Sequence, residues 1–156
     1  IRVRAESFAE EFTVAEPLER ALERAALRFG AIGVQRDYLQ PIPKVRGDRA
    51  HLEEAFLNLL VNAAEAMPEG GIIRLEIKVE NDLVVVAIHD RGVGLAPDQI
   101  PKIFDPFQTT KSSETNWGIG LSYCYLVLRR LGGDLYVESQ PGVGSTFFVV
   151  LPILAS

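Results

Sequence analysis

The sequence predicts an α/β two-layer sandwich, one mixed, mostly antiparallel sheet of about five strands with three main helices on one face. Three observations carry this reading. Helix-like and strand-like patterns follow the order helix, strand, helix, two strands, long loop, helix, two strands. The run from Asp48 to Met67 places Leu52, Ala55, Phe56, Leu59, Leu60 and Ala63 on one side, the spacing of an amphipathic helix. The runs Ile72 to Val79 and Leu83 to Asp90 meet at Asn81-Asp82, as two strands joined by a tight turn do.

Residues 1–11 are charged and without a clear period, a connector from an upstream element; residues 12–156 make the domain. Phe12-Thr13-Val14 is a candidate short edge strand. Pro17 suits the first turn of a helix whose stripe is Leu18, Leu22, Ala25, Ala26 and Phe29, ended by Gly30 and Gly33. Val34 to Leu39 alternates as a strand and is closed by Pro41 and Pro43. Asp48 is a good N-cap for the long helix, which stops at Pro68-Glu69-Gly70-Gly71. Of the next two strands, the first has one wet face, and the second is apolar enough to be central. Residues 92–117 contain Pro97, Pro101 and Pro106, with one helical turn near Gln99 to Phe104; a loop of that length in a compact domain reads as a lid. Gly118 to Leu131 is the last helix, and Asp134 to Ser139 and Ser145 to Leu151 are the last strands.

At 156 residues the chain fits one domain with its own core. A formal net charge of −5, with no cluster of Lys and Arg, excludes general nucleic-acid binding. It leaves phosphate ligands open, because backbone N–H groups bind them without net positive charge. The single Cys124 has no intrachain partner and lies in an apolar stretch, so it reads as a packed, inert thiol in a reducing, cytoplasmic setting. No apolar stretch reaches the roughly 20 residues that span a bilayer, so no membrane contact is expected of this fragment. The chain starts without Met and reads as part of a longer protein, which itself is free to be membrane-anchored.

Four segments carry chemistry. Glu54, Asn58, Asn62 and Glu65 share one face of the long helix. Asn is a poor mid-helix residue, and an amide oxygen is a suitable hard ligand for Mg²⁺; a solvated polar face is the other explanation. Asp90 ends an apolar strand ahead of Gly92 and Gly94, either a carboxylate for an exocyclic amine or an ordinary turn. Gly118-Ile119-Gly120-Leu121 opens a helix, where free N–H groups and the dipole favour an anion. Gly142 to Thr146 joins two strands and says little alone.

Together, in this order and spacing, the segments resemble the catalytic ATP-binding domain of bacterial sensor histidine kinases, in the GHKL superfamily that also holds gyrase, chaperone and mismatch-repair ATPases. Asn58 to Ala66 is similar to the N box, Asp90 to Gly94 to the first glycine box and Phe104-Asp105-Pro106-Phe107 to the F box. Gly118 to Leu121 and Gly142 to Thr146 are similar to the second and third glycine boxes. The phrases from Asn62 to Gly71 and from Phe104 to Lys111 are similar to the nitrogen-regulator branch.

The resemblance implies ATP and Mg²⁺ as cofactors. Asn62 would ligate the metal, and Asn58 would support it or touch phosphate. Asp90 would pair with the adenine amine, with Thr146 assisting through water, and Gly92 and Gly94 would admit the base. Gly118, Gly120 and Leu121 would offer N–H groups to the phosphates. Lys111 either reaches the terminal phosphates from the lid or is a solvated lysine. The acceptor histidine and its base are expected on a separate dimerisation domain, because neither His51 nor His89 has a phosphoacceptor setting. A response regulator receiver domain is the implied next partner, and the parent protein is implied to be a homodimer. A serine kinase acting on anti-sigma antagonists and a non-catalytic nucleotide-sensing module are the alternatives.

Three departures from the family pattern stand out. Glu65 occupies a position that is Lys or Arg in many relatives. Asn116-Trp117 replaces the usual Gly-Thr. Asn58 stands where the chaperone and gyrase branches place a catalytic Glu, so efficient water activation is not expected.

Overall fold

Burial of the long helix's apolar face organises the molecule. The computed structural model describes residues 10–104 and 117–154. The strands are β1 (Glu10–Thr13), β2 (Ile32–Tyr38), β3 (Lys44–Gly47), β4 (Gly71–Glu80), β5 (Leu83–Asp90), β6 (Asp134–Gln140) and β7 (Gly144–Pro152). The helices are α1 (Ala15–Ala25), α2 (Arg49–Glu65) and α3 (Trp117–Arg130). Five strands form one sheet in the order β2-β4-β5-β7-β6, parallel between β2 and β4 and antiparallel elsewhere, as predicted.

Asp48 caps α2 by accepting the His51 N–H at 3.2 Å. All six apolar residues placed on the inner face of α2 are buried, Leu52, Ala55, Phe56, Leu59 and Leu60 completely. They meet Leu18, Ala21, Leu22 and Ala25 of α1, Leu121, Cys124 and Leu128 of α3, and the sheet residues Ile73, Leu75, Val86 and Ile88. Burial pushes the Cys124 thiol pKa far up, and its Sγ donates to the Ala55 carbonyl. Strand β5 is central and buried from Val84 to Ile88. On the opposite face of the sheet Tyr136 stacks on Phe148 at 5.0 Å. No helix among the described residues is long and apolar enough to cross a membrane.

Three details depart from expectation. Phe12 belongs to β1, which starts at Glu10 and pairs with β3 in a separate two-stranded ribbon rather than at an edge of the main sheet. Strand β3 itself, Lys44–Gly47, lies where no element was predicted. Its one deeply apolar residue, Val45, is buried beside its cross-strand partner Phe12, and that non-local pairing makes it a strand. Arg49 fastens the ribbon to α1 and α2 through Glu10 and Glu16, with its guanidinium 5.5 Å above the Phe12 ring. Finally, Ala26 is exposed, because α1 tightens there into a 3-10 turn (Ala26–Arg28) and the apolar stripe loses its helical phase.

Candidate functional site

The outward face of α2 forms the floor of a cavity of about 850 Å³, with Glu54, Asn58, Asn62 and Glu65 all lining it. Arg24, Leu27 and Arg28 line it from the α1 side, and Gly120, Leu121 and Tyr123 from α3. Asn58 donates from Nδ2 to the Glu54 carbonyl at 3.1 Å, which fixes its amide with Oδ1 towards α3. A Cβ at Gly120 would stand only 3.2 Å from that oxygen, so the absence of a side chain there permits the approach of the two helices. Gly118 and Gly120 stand in the first turn of α3, whose N–H groups lack helical acceptors. Leu121 follows them and is itself buried.

Asn62 is the unusual residue of the floor. Its Oδ1 is buried and is the one such side-chain atom without a hydrogen-bond partner among the described residues. An amide oxygen stripped of water without compensation costs on the order of 1–3 kcal/mol, so this atom weakens the fold unless a donor or an ion reaches it. Among the described residues no group of three or more His, Cys, Asp or Glu is placed to hold a metal.

The second half of the site adjoins the C-terminal end of α2. Asp90 is 6% exposed and sits on the helix-facing side of β5, in phase with Val84, Val86 and Ile88. Its Oδ1 accepts the Gly92 N–H at 2.8 Å. Burial raises its carboxyl pKa above the ordinary value, and the N–H groups of Gly92 and Ser145 oppose that only partly. The loop after Asp90 locks onto α2 through Val93 N–H to the Ala66 carbonyl, 3.2 Å, and Ala66 N–H in turn reaches the Asn62 carbonyl, 3.1 Å. Asp90, Gly92 and Gly94 therefore lie beside the cavity rather than in its lining.

Gly94 holds φ +75°, and a Cβ would collide with the Gln140 carbonyl. Gly142 has a similar φ, +77°, with open space around it. Gly142→Ala is expected to cost about 1 kcal/mol, the left-handed penalty alone, and Gly94→Ala about 3 kcal/mol or more. Denaturant midpoints of the two variants measure the difference; equal costs would mean that the Gly94 contact is unimportant.

One predicted site residue is elsewhere. Thr146 pairs with His89, not with Asp90, and its Oγ1 lies 2.9 Å from His89 Nδ1 on the face of the sheet away from the helices. Ser145 is the residue opposite Asp90. It is buried, and its Oγ lies 2.7 Å from the Ser139 hydroxyl, which also accepts the Leu95 N–H at 2.7 Å. The alternation of buried Phe147, Val149 and Leu151 extends back to Ser145, so strand parity carried that signal. Arg24 and Arg28 line the cavity without any sequence pattern that singles them out. Lys111, Asp105 to Phe107 and Asn116 fall outside the described residues; Phe104, at the start of the predicted F box, stacks on Tyr125 at 5.4 Å.

Neither histidine belongs to the cavity. His51 Nδ1 meets the Asp48 carboxylate at 2.5 Å, and His89 Nε2 lies 3.2 Å from Glu76 Oε1.

Residues 47–155 match the family model described as histidine kinase-, DNA gyrase B- and HSP90-like ATPase. The chain is 34% identical over 133 residues to sporulation kinase E of Bacillus subtilis, covering 85% of this chain and 18% of that protein. It is 36% identical over 138 residues to the sensor kinase CckA of Brucella abortus, covering 79% of this chain and 15% of that one. It thus spans less than a fifth of either relative. Its fold is similar to the mycobacterial sensor histidine kinase MprB, with a TM-score of 0.82 and 28% identity over 95% of this chain and 99% of that one. The nucleotide-free catalytic domain of histidine kinase ThkA matches with a TM-score of 0.78 and 26% identity, covering 92% of this chain and 95% of that one. With a family model over residues 47–155 and relatives of this identity and coverage, the chain belongs to the histidine kinase-, DNA gyrase B- and HSP90-like ATPase family, with the fold of a histidine kinase catalytic domain.

Proposed function

We propose that this chain binds Mg·ATP and passes the γ-phosphoryl group to a histidine on a separate dimerisation domain, as the catalytic domain of a two-component sensor histidine kinase. The observation that carries the reading is the orphaned, buried Oδ1 of Asn62 in the cavity floor. Mg²⁺ takes oxygen ligands and keeps several waters, so a dehydrated amide oxygen with no competing donor fits it. Asn62 would hold the ion, with Asn58 beside it. When bound, Mg²⁺ supplies neutralisation of charge on the phosphate oxygens.

The chain's own residues do the positioning, the main demand of phosphoryl transfer. Asp90 accepts from the adenine amine, and Ser145, on the same face, takes the supporting place first expected of Thr146. The Gly92-Gly94 loop lets the base lie against backbone, and the first turn of α3 directs N–H groups at the phosphates. Lys111, outside the described residues, is the proposed cation for the terminal phosphates, its alternative being a solvated lysine. Asn58 is an amide, too weak a base to activate water, which favours transfer over hydrolysis. His51 and His89 are each held by protein partners away from the cavity, which supports an acceptor histidine on another domain. A response regulator receiver would then take the phosphoryl group, and the parent protein would act as a homodimer in the cytoplasm.

Incubating the chain with γ-labelled ATP, Mg²⁺ and a histidine-bearing dimerisation domain from its parent protein tests this reading. The expected product is an acid-labile phosphohistidine on the added domain. Binding without transfer would identify a nucleotide sensor instead, and acid-stable label on serine would identify a serine kinase.

A further inference from the structure

The cavity carries one positive charge that the positioning described above leaves idle. Its lining includes two arginines, Arg24 and Arg28, and two glutamates, Glu54 and Glu65. Arg24 is committed, with Nη1 2.9 Å from Glu53 and Nη2 3.2 Å from Glu54. Arg28 has no ion pair among the described residues. It ends the 3-10 turn that follows α1, a turn pinned by buried Phe29, whose N–H donates to Ala26 at 3.2 Å. Its neighbour Leu27 is 91% exposed, so the turn stands at the open rim of the cavity.

A nucleoside triphosphate with one divalent cation still carries net negative charge. Glu65, in the same lining, opposes that charge, and Arg24 is neutralised by its two carboxylates. Arg28 is then the one lining cation among the described residues whose donors are free. A guanidinium presents five N–H donors in a planar fork that matches two phosphate oxygens at once.

We propose that Arg28 is a phosphate-recognising residue of this site, binding the terminal phosphate of the triphosphate from the α1 side of the cavity. This rests on the nucleotide reading and extends it to a residue on a different helix from the asparagines. On this assignment Arg28 contacts the one phosphate that a triphosphate has and a diphosphate lacks, so its loss weakens the two ligands unequally.

Calorimetric titration of Arg28→Ala, Arg28→Lys and the unaltered chain with Mg·ATP and Mg·ADP decides it. Arg28→Ala is expected to weaken ATP about tenfold and ADP less than twofold, with Arg28→Lys in between. Arg20→Ala removes the same charge from an exposed arginine of α1 paired with Glu53, and is expected to leave the ATP-to-ADP ratio unchanged. Equal weakening of both nucleotides by Arg28→Ala, or no change in either while the unaltered chain binds ATP, would overturn the proposal. Failure of the unaltered chain to bind ATP would instead remove the nucleotide reading, and this assignment with it. Superimposable circular dichroism of the variants separates either result from misfolding.

Discussion

Asp90→Asn is expected to abolish useful ATP binding while leaving the domain at least as stable at neutral pH. Asp90 Oδ1 is occupied by the Gly92 N–H. An asparagine placed here keeps its oxygen on that donor and turns its amino group towards the ligand. A purine amine then meets a donor where it needs an acceptor. Losing one hydrogen bond to a charged group costs about 3 kcal/mol, roughly a hundredfold in affinity.

Stability runs the other way. Burial raises the Asp90 pKa in the folded state and outweighs the two backbone N–H groups that favour the carboxylate. A raised folded-state pKa means that the fold prefers the protonated form. The stabilising contribution is therefore complete below the ordinary aspartate pKa and is lost as pH climbs through the raised value. At neutral pH the domain carries an ionised carboxylate that it would hold more cheaply neutral. Asparagine is neutral throughout, so its melting temperature at pH 7 should equal or exceed that of the unaltered chain, and the gap should shrink towards pH 4. Thermal melts at both pH values together with ATP calorimetry check this. Retained micromolar ATP affinity, or a lower melting temperature at pH 7, would contradict the assignment of Asp90.

Much of the fold was legible because its elements announce themselves locally. The stripe of α2, its cap at Asp48, and the apolar run of β5 each follow from one stretch of chain. Strand β3 was not legible for the opposite reason. Lys44 and Arg46 alternate with Val45 and Gly47 next to two prolines, and only pairing with distant β1 settles that segment as a strand. The site shows the same division. Asn58 and Asn62 share a face by helical spacing alone, and the structure brings both to one cavity. The placement of Ser145 opposite Asp90 and of Thr146 opposite His89 follows from parity within β7, since every second residue after Ser145 is buried. That Arg28 lines the same cavity was not legible, because no local pattern says that the turn after α1 reaches the outward face of α2.

Asn62→Ala should raise the stability of the ligand-free domain and erase the effect of Mg²⁺ on ATP binding. Two contributions to stability have the same sign. Alanine is the better helix former in mid-α2, by about 0.5 kcal/mol. The substitution also removes a buried oxygen that has no partner among the described residues, relieving on the order of 1 kcal/mol after some loss of packing. The melting temperature should therefore rise by about 3 °C or more for a domain of this size. Function moves the other way: ATP affinity measured in Mg²⁺ and in EDTA should differ for the unaltered chain and coincide for the variant. Asn62→Asp makes the complementary case. A carboxylate in the same hollow is more costly to bury without metal and a stronger ligand with it, so its melting temperature should fall in EDTA and recover in Mg·ATP by more than the unaltered chain gains. A destabilised alanine variant, or one that keeps its Mg²⁺ dependence, would make Asn62 a structural residue. The oxygen's isolation would then have no link to a metal, and a residue that weakens the empty domain would have no functional reason to be there.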